Sequence, residues 1–221
     1  MSSSATDTSS RLRITEIFYS LQGESGSAGM PTVFIRLTGC PLRCGYCDTA
    51  YAFQGGEWMD VKDIVSSVSA YRTRYVTVTG GEPLAQRNCH ELLRQLCDAG
   101  YEVSLETSGA LDLSGVDSRV VRVMDLKTPS SGECERNLYT NIGCLSGRDQ
   151  VKFVIADRED YEWSARQVEN YHLADRCEVL FSPSYGQQDA AMLAGWILED
   201  HLTVRFQVQL HKILWGDEPG R

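Results

Sequence analysis

Apolar positions along the chain fall into two alternating rhythms. Continuous or every-second-residue runs read as buried strands, and spacings of three and four read as helical faces. Arg11 to Ser20, with Ile14, Ile17, Phe18 and Tyr19, opens the pattern as a strand, and Thr32-Val33-Phe34-Ile35-Arg36-Leu37 is a second that ends in Gly39. Asp60 then stands where it can cap a helix carrying Val61, Ile64, Val65 and Val68 on one face. Tyr75 to Val78 reads as a strand, and Leu92, Leu93 and Leu96 mark a helix that stops at Gly100. Further strands are predicted at Glu102 to Leu105, Val120 to Met124, Gln150 to Ile155, Glu178 to Ser182 and Thr203 to Gln209. A helix presenting Leu193, Ile197 and Leu198 on one face precedes the last of them.

Strands alternating with helices imply an α/β fold with a parallel sheet and right-handed crossovers. Polar or glycine-bearing motifs recur where strands end: residues 40–49, Thr79 to Glu82, Glu106, Lys127 and Ser182. A partial, incomplete β/α barrel would gather them at one mouth. An open doubly wound sheet is the alternative, but no Gly-x-Gly-x-x-Gly follows a strand. With 221 residues and neither repeat nor linker, residues 11–221 read as a single domain. Met1 to Ser10, mostly Ser and Thr, reads as a disordered tail rather than a signal peptide.

Composition narrows the partners. A net charge of −9 argues against nucleic acid as a direct partner. No stretch approaches the roughly 20 apolar residues of a membrane span. The chain has eight cysteines, but only Cys40, Cys44 and Cys47 are grouped, which is not a secreted disulfide framework. The reducing cytoplasm is the expected compartment, with Cys89, Cys97, Cys134, Cys144 and Cys177 as buried small hydrophobes or incidental thiols.

The grouped cysteines lie in Cys40-Pro-Leu-Arg-Cys44-Gly-Tyr-Cys47-Asp-Thr, just past the strand that contains Arg36. Three thiolates can hold three irons of a cubane and leave the fourth open to a ligand. A structural zinc site would want a fourth Cys or His at short spacing. A thioredoxin-like site would make Cys40 superfluous, and an electron-transfer ferredoxin would supply four cysteines per cluster. Arg36, in an otherwise apolar strand, calls for an anion or carboxylate partner. The loop Leu21-Gln22-Gly23-Glu24-Ser25-Gly26 has glycines that permit close backbone approach to a ligand. Thr79-Gly80-Gly81-Glu82-Pro83 can turn main-chain carbonyls and Glu82 toward an ammonium group, and Lys127 toward a carboxylate.

Cys-x3-Cys-x2-Cys with Tyr46 before the last Cys, followed by Gly80-Gly81-Glu82, resembles the radical S-adenosylmethionine (SAM) superfamily. Within it, Phe18 to Glu24, Phe34 to Leu37, Cys40 to Thr49, Thr79 to Pro83, Glu106 to Gly109 and Gln209-Leu210-His211-Lys212 are similar to the 7-carboxy-7-deazaguanine synthases, over nearly the whole length. The resemblance implies conversion of 6-carboxy-5,6,7,8-tetrahydropterin to 7-carboxy-7-deazaguanine by radical ring contraction with loss of ammonia, in queuosine precursor biosynthesis. It implies a 4Fe-4S cluster on Cys40, Cys44 and Cys47, magnesium on Thr49, and SAM against Tyr46, Cys47, Asp48, Gly81, Glu82, Asp125, Leu126 and Lys127. It places Leu21, Gln22, Gly23, Arg36 and Thr79 at the substrate. Glu24 and Glu106 are further pocket candidates, and His211 is a candidate donor to the pterin ring or a satisfied core residue. An external donor of the flavodoxin or ferredoxin type and a homodimer are also implied. Related enzymes often have Ser-Pro-Lys where this chain has Asp125-Leu126-Lys127. The chain also continues past His211-Lys212 to Arg221, with Trp215 placed to close the pocket. The competing readings are a glycyl-radical enzyme activase and a non-enzymatic, metal-stabilised binding module.

Overall fold

The structure, a computed structural model, describes residues 10–216, 218 and 220, so all of the tail but Ser10 lies outside the described residues. The chain runs through β1 (Arg11–Leu21), β2 (Pro31–Leu37), β3 (Glu57–Asp60), α1 (Val61–Ser69), β4 (Tyr75–Gly80), α2 (Cys89–Asp98), β5 (Glu102–Thr107) and β6 (Val121–Asp125). It continues through β7 (Gln150–Ile155), α3 (Arg158–Asn170), β8 (Glu178–Pro183), α4 (Ala190–Glu199), β9 (Arg205–Phe206) and α5 (Leu210–Trp215). Among the described residues all the strands form one sheet, ordered β3-β1-β2-β4-β5-β6-β7-β8-β9. β1 pairs antiparallel with β2 and β3, and every pairing from β2 onward is parallel. The sheet stays open between β3 and β9, which is the expected incomplete β/α barrel.

Period-two alternation gives each central strand two different faces. Val33, Ile35 and Leu37 of β2, Val76 and Val78 of β4, Val103 and Leu105 of β5, and Val151, Phe153 and Ile155 of β7 enter the apolar core. There they meet Val61, Ile64 and Val68 of α1 and Leu92, Leu93 and Leu96 of α2. Each fully buried side chain of this kind contributes about 1.5–3 kcal/mol. The intervening residues Phe34, Arg36, Thr79, Glu106, Val123, Asp125, Lys152 and Val154 instead line a cavity on the opposite face. Register sets Arg36 beside Thr79 and Asp125 beside Lys152.

Four expectations change. The strand predicted over Thr203–Gln209 shrinks to β9. Gln207 N–H still donates to Phe181 O at 3.0 Å, while its side chain clasps the backbone of Ser25, accepting from its N–H at 2.6 Å and donating to its carbonyl at 2.9 Å. His211 therefore sits in the first turn of α5. Leu198 is 73% exposed although Leu193 and Ile197 are buried. Asp60 occupies the capping position of α1 without a side-chain capping bond, and it also ends β3, an edge strand the pattern did not predict. Trp215 does not reach the cavity; Gly216, just after it, does.

Candidate functional site

The cavity, about 680 Å³, opens where β2, β4, β5, β6 and β7 end. The cysteine loop hangs on one side. Gly39, at φ +98°, turns the chain out of β2, and its N–H donates to Ala52 O at 2.8 Å. The Gly80-Gly81 turn straps this loop down: Gly81 N–H donates to Leu37 O at 3.2 Å, and Glu82 N–H to Gly39 O at 2.8 Å. A Cβ at Gly80 would strike the Leu37 backbone, and one at Gly81 would strike Gly39 and the Cβ of Cys40. The paired glycines thus admit the cysteine loop as well as facing the cavity through Gly81.

Glu82 departs from its expected place. Fully buried and outside the cavity lining, its carboxylate accepts from Leu84 N–H (3.0 Å), Ser108 N–H (2.7 Å), Ser108 Oγ (2.5 Å) and Thr107 Oγ1 (2.9 Å). It ties the end of β4 to the end of β5. The Leu126 side chain is likewise in the core. Every other residue predicted for cofactor, metal or substrate lines the cavity.

Cys40, Cys44 and Cys47 are free thiols and partly exposed. Burial raises the Cys40 thiol and pushes Cys44 up to about 11. Thr49 lies 3.8 Å from Cys47 Sγ through its hydroxyl. Tyr46, whose phenol burial pushes up to about 12, pairs its hydroxyl with Thr128 Oγ1 at 3.3 Å. Across from them Lys127 Nζ meets Asp125 Oδ2 at 2.8 Å, while Asp125 Oδ1 is buried with no protein partner. Burial opposes the charge on Lys127, but the Asp125 carboxylate prevails and its pKa stays above the usual lysine range.

A second, more polar group gathers around Gln22. The Gln22 amide donates to Glu106 Oε1 and to Thr77 Oγ1, both at 3.1 Å, and its carbonyl accepts Glu24 N–H at 3.2 Å. Thr79 Oγ1 donates to the other Glu106 oxygen at 2.9 Å. Lys152 Nζ holds Glu24 Oε2 at 2.5 Å, leaving Glu24 Oε1 buried without a partner. Burial raises Glu106, and the Glu24 charge adds to this. Burial acts the same way on Glu24, yet Lys152 overcomes it and holds that carboxyl below its usual range. His211, lowered mainly by burial, packs so closely on Gly23 that a Cβ there would overlap its ring. α5 is anchored through its first turn, by Leu210 N–H to Gly23 O at 3.0 Å and by Lys212 to Asp48 at 4.0 Å.

Arg36 finds its carboxylate inside the chain: its Nε meets Glu16 Oε1 at 2.6 Å, and Tyr51 donates to the same oxygen at 2.8 Å. Lys152 is the residue that pattern reading passed over. It interrupts an apolar strand as Arg36 does, so the same rule, that a cation on a buried strand needs an anion, would have found it.

The radical SAM superfamily model matches residues 34–174. A 7-carboxy-7-deazaguanine synthase of Chlorobaculum tepidum is 42% identical to this chain, covering 96% of it and 97% of the relative. The chain belongs to the 7-carboxy-7-deazaguanine synthase family. Synthases of that name from Koribacter versatilis (40% identical, covering 94% of this chain and 98% of the relative) and Methanospirillum hungatei (42%, covering 93% and 86%) are further relatives. The solved structure of QueE from Escherichia coli superposes with a TM-score of 0.75 at 21% identity, covering 91% of this chain and 95% of that one, and so shares the fold. SuiB of Streptococcus suis shares it more distantly, with a TM-score of 0.58 at 14% identity, covering 77% of this chain and 46% of its own.

Membership of the 7-carboxy-7-deazaguanine synthase family makes this a radical SAM enzyme and implies a 4Fe-4S cluster and SAM. The residues present fit both groups. Cys40, Cys44 and Cys47 stand on one short loop and all line the cavity, and a cubane takes its cysteines at separate corners. The partnerless Asp125 oxygen and the buried Lys127 ammonium offer a matched pair of charges to a zwitterionic amino-acid group in the same cavity.

Proposed function

We propose that this chain converts 6-carboxy-5,6,7,8-tetrahydropterin to 7-carboxy-7-deazaguanine with loss of ammonia, supplying a precursor of queuosine. One observation carries the reading: a single cavity joins the three-cysteine loop to a buried set of acceptors and donors suited to a pterin, in a chain 42% identical to a synthase of that name.

When bound, the cluster and SAM supply a primary carbon radical able to take hydrogen from the pterin C6. Cys40, Cys44 and Cys47 hold the cluster. Tyr46, Asp48, Gly81, Asp125, Lys127 and the backbone at Leu126 orient SAM, and Thr49 gives magnesium one hard oxygen ligand. Leu21, Gln22, Gly23, Glu24, Arg36, Thr79, Glu106 and His211 hold the substrate. A pterin offers an amide-like edge that the Gln22 amide and the carboxylates can match, while its carboxylate is drawn to the cationic side of the cavity at Arg36 and Lys127. α5, fastened to Gly23 and Asp48, holds His211 and Lys212 in the cavity wall.

An external flavodoxin- or ferredoxin-type donor, a homodimeric assembly and a cytoplasmic location complete the proposal. Among the described residues no helix is long and apolar enough to cross a membrane. A glycyl-radical activase would need an open face for a protein loop and would release no ammonia from a pterin. The test is an anaerobic assay of the reconstituted chain with the carboxylated pterin, SAM, magnesium and a reductant. The expected result is one ammonia per ring-contracted product. SAM cleavage with no ammonia from the pterin would overturn the assignment.

A further inference from the structure

Hydrogen abstraction needs neither acid nor base, yet the substrate end of the cavity holds two carboxylates, an ammonium and an imidazole within one network. Loss of ammonia does need both. The departing nitrogen leaves with its bonding pair and must gain a proton, and the ring must give up a C–H proton whose electron pair becomes the new double bond. No oxidant or reductant enters this step.

We propose, resting on the function above, that Glu106 and Glu24 divide that proton traffic: Glu106 donates to the departing nitrogen, and Glu24 accepts the ring proton through Oε1. The geometry supports the division. Glu24 Oε2 is locked to Lys152 while Oε1 is buried without a partner, so one basic oxygen is left for substrate. Glu106 touches no cation; its contacts are the neutral Gln22 amide and Thr79 hydroxyl. Gln22 bridges both residues, through its side-chain carbonyl to Glu24 N–H and through its amide to Glu106, and so fixes their spacing. The charged groups acting on the pair are Lys152, His211 and, through Lys152, Asp125. The two carboxyls are driven in opposite directions: burial and the Glu24 charge raise Glu106 although Lys152 opposes them, and Lys152 holds Glu24 down against burial. Neighbouring carboxyls separated in this way mark an acid and a base. After turnover Glu106 is ionised and Glu24 protonated, and one proton returned from Glu24 to Glu106 resets the site.

The deciding experiment is a single turnover of the loaded enzyme with pterin deuterated at C6, reading deuterium transfer to the 5′-deoxyadenosyl group and ammonia release from the same sample. In Glu106→Gln and in Glu24→Gln at saturating pterin, ammonia release should slow about 10²–10⁴-fold relative to the deuterium transfer of the same variant. Equal loss of both signals, or a raised KM with kcat unchanged, would reduce the two residues to substrate binding and overturn the proposal. A wild-type chain giving neither signal would instead overturn the functional reading. Infrared spectra of the full wild-type chain with ¹³C-labelled glutamate do not depend on a variant folding. A protonated glutamate carbonyl band at assay pH is expected, and its absence would also overturn the proposal.

Discussion

Removing the Glu82 carboxylate should destabilise the whole domain rather than the cofactor site alone. In Glu82→Ala the hydroxyls of Thr107 and Ser108 can rotate toward other acceptors, but the N–H groups of Leu84 and Ser108, now held at 3.0 and 2.7 Å, cannot. Each buried donor left unmatched costs about 1–3 kcal/mol, and lost packing of the side chain adds to this, so a total near 3–5 kcal/mol is expected. Against a typical domain stability of about 5–15 kcal/mol, the variant should fold but lie close to its limit. Urea unfolding measures this as a lowered midpoint at unchanged slope. Glu82→Gln keeps one acceptor oxygen and should lose less. A loss below about 1 kcal/mol in Glu82→Ala, coupled to weakened SAM binding, would refute the reasoning, because the carboxylate would then be a ligand rather than a tether.

Three other outcomes are expected. Gly81→Ala drives a methyl group into Gly39 and Cys40, so it should displace the cysteine loop and lower iron and sulfide content, while far-ultraviolet circular dichroism keeps its folded shape. Cys44→Ala should abolish cluster assembly and turnover with little change in the fold, since the thiol is partly exposed and outside the apolar core; full iron loading would contradict the ligand assignment. The buried carboxylates should give opposite pH responses in stability. Glu106 is raised in the fold, so its contribution is present below the unfolded pKa and lost as pH rises through the folded one. Glu106→Gln should therefore gain on wild type as pH rises above the usual carboxylate range, read as the difference in urea midpoints; a difference that shrinks would refute the shift. Glu24 is lowered, so its contribution is present above the unfolded pKa and lost as pH falls through the folded one, and Glu24→Gln should lose most at neutral pH.

The barrel strands were legible because they are two-faced elements whose apolar side repeats in register: Val76 and Val78, Val103 and Leu105, and Val151 and Phe153 point one way whatever lies opposite. The cysteine spacing was equally local, with all three thiols on one short loop whose chemistry depends little on distant residues. Sequence also put Arg36 in the pocket on family resemblance, and Glu24, Glu106 and His211 there as candidates within the same motifs.

What sequence alone determined was therefore the fold class, the cluster loop and the strand ends that carry polar groups. Only the tertiary structure decided which charge meets which. Glu82, read as a cofactor ligand, faces Thr107 and Ser108; Arg36 pairs with Glu16; and Lys152, 128 residues away in sequence, reaches Glu24. The last strand ends at Phe206, and just beyond it the Gln207 side chain clasps the backbone of Ser25, 182 residues away. Periodicity is a property of neighbours along the chain and survives in one dimension. The partner of a buried charge is fixed by strand order and register, which bring together residues that no local pattern connects.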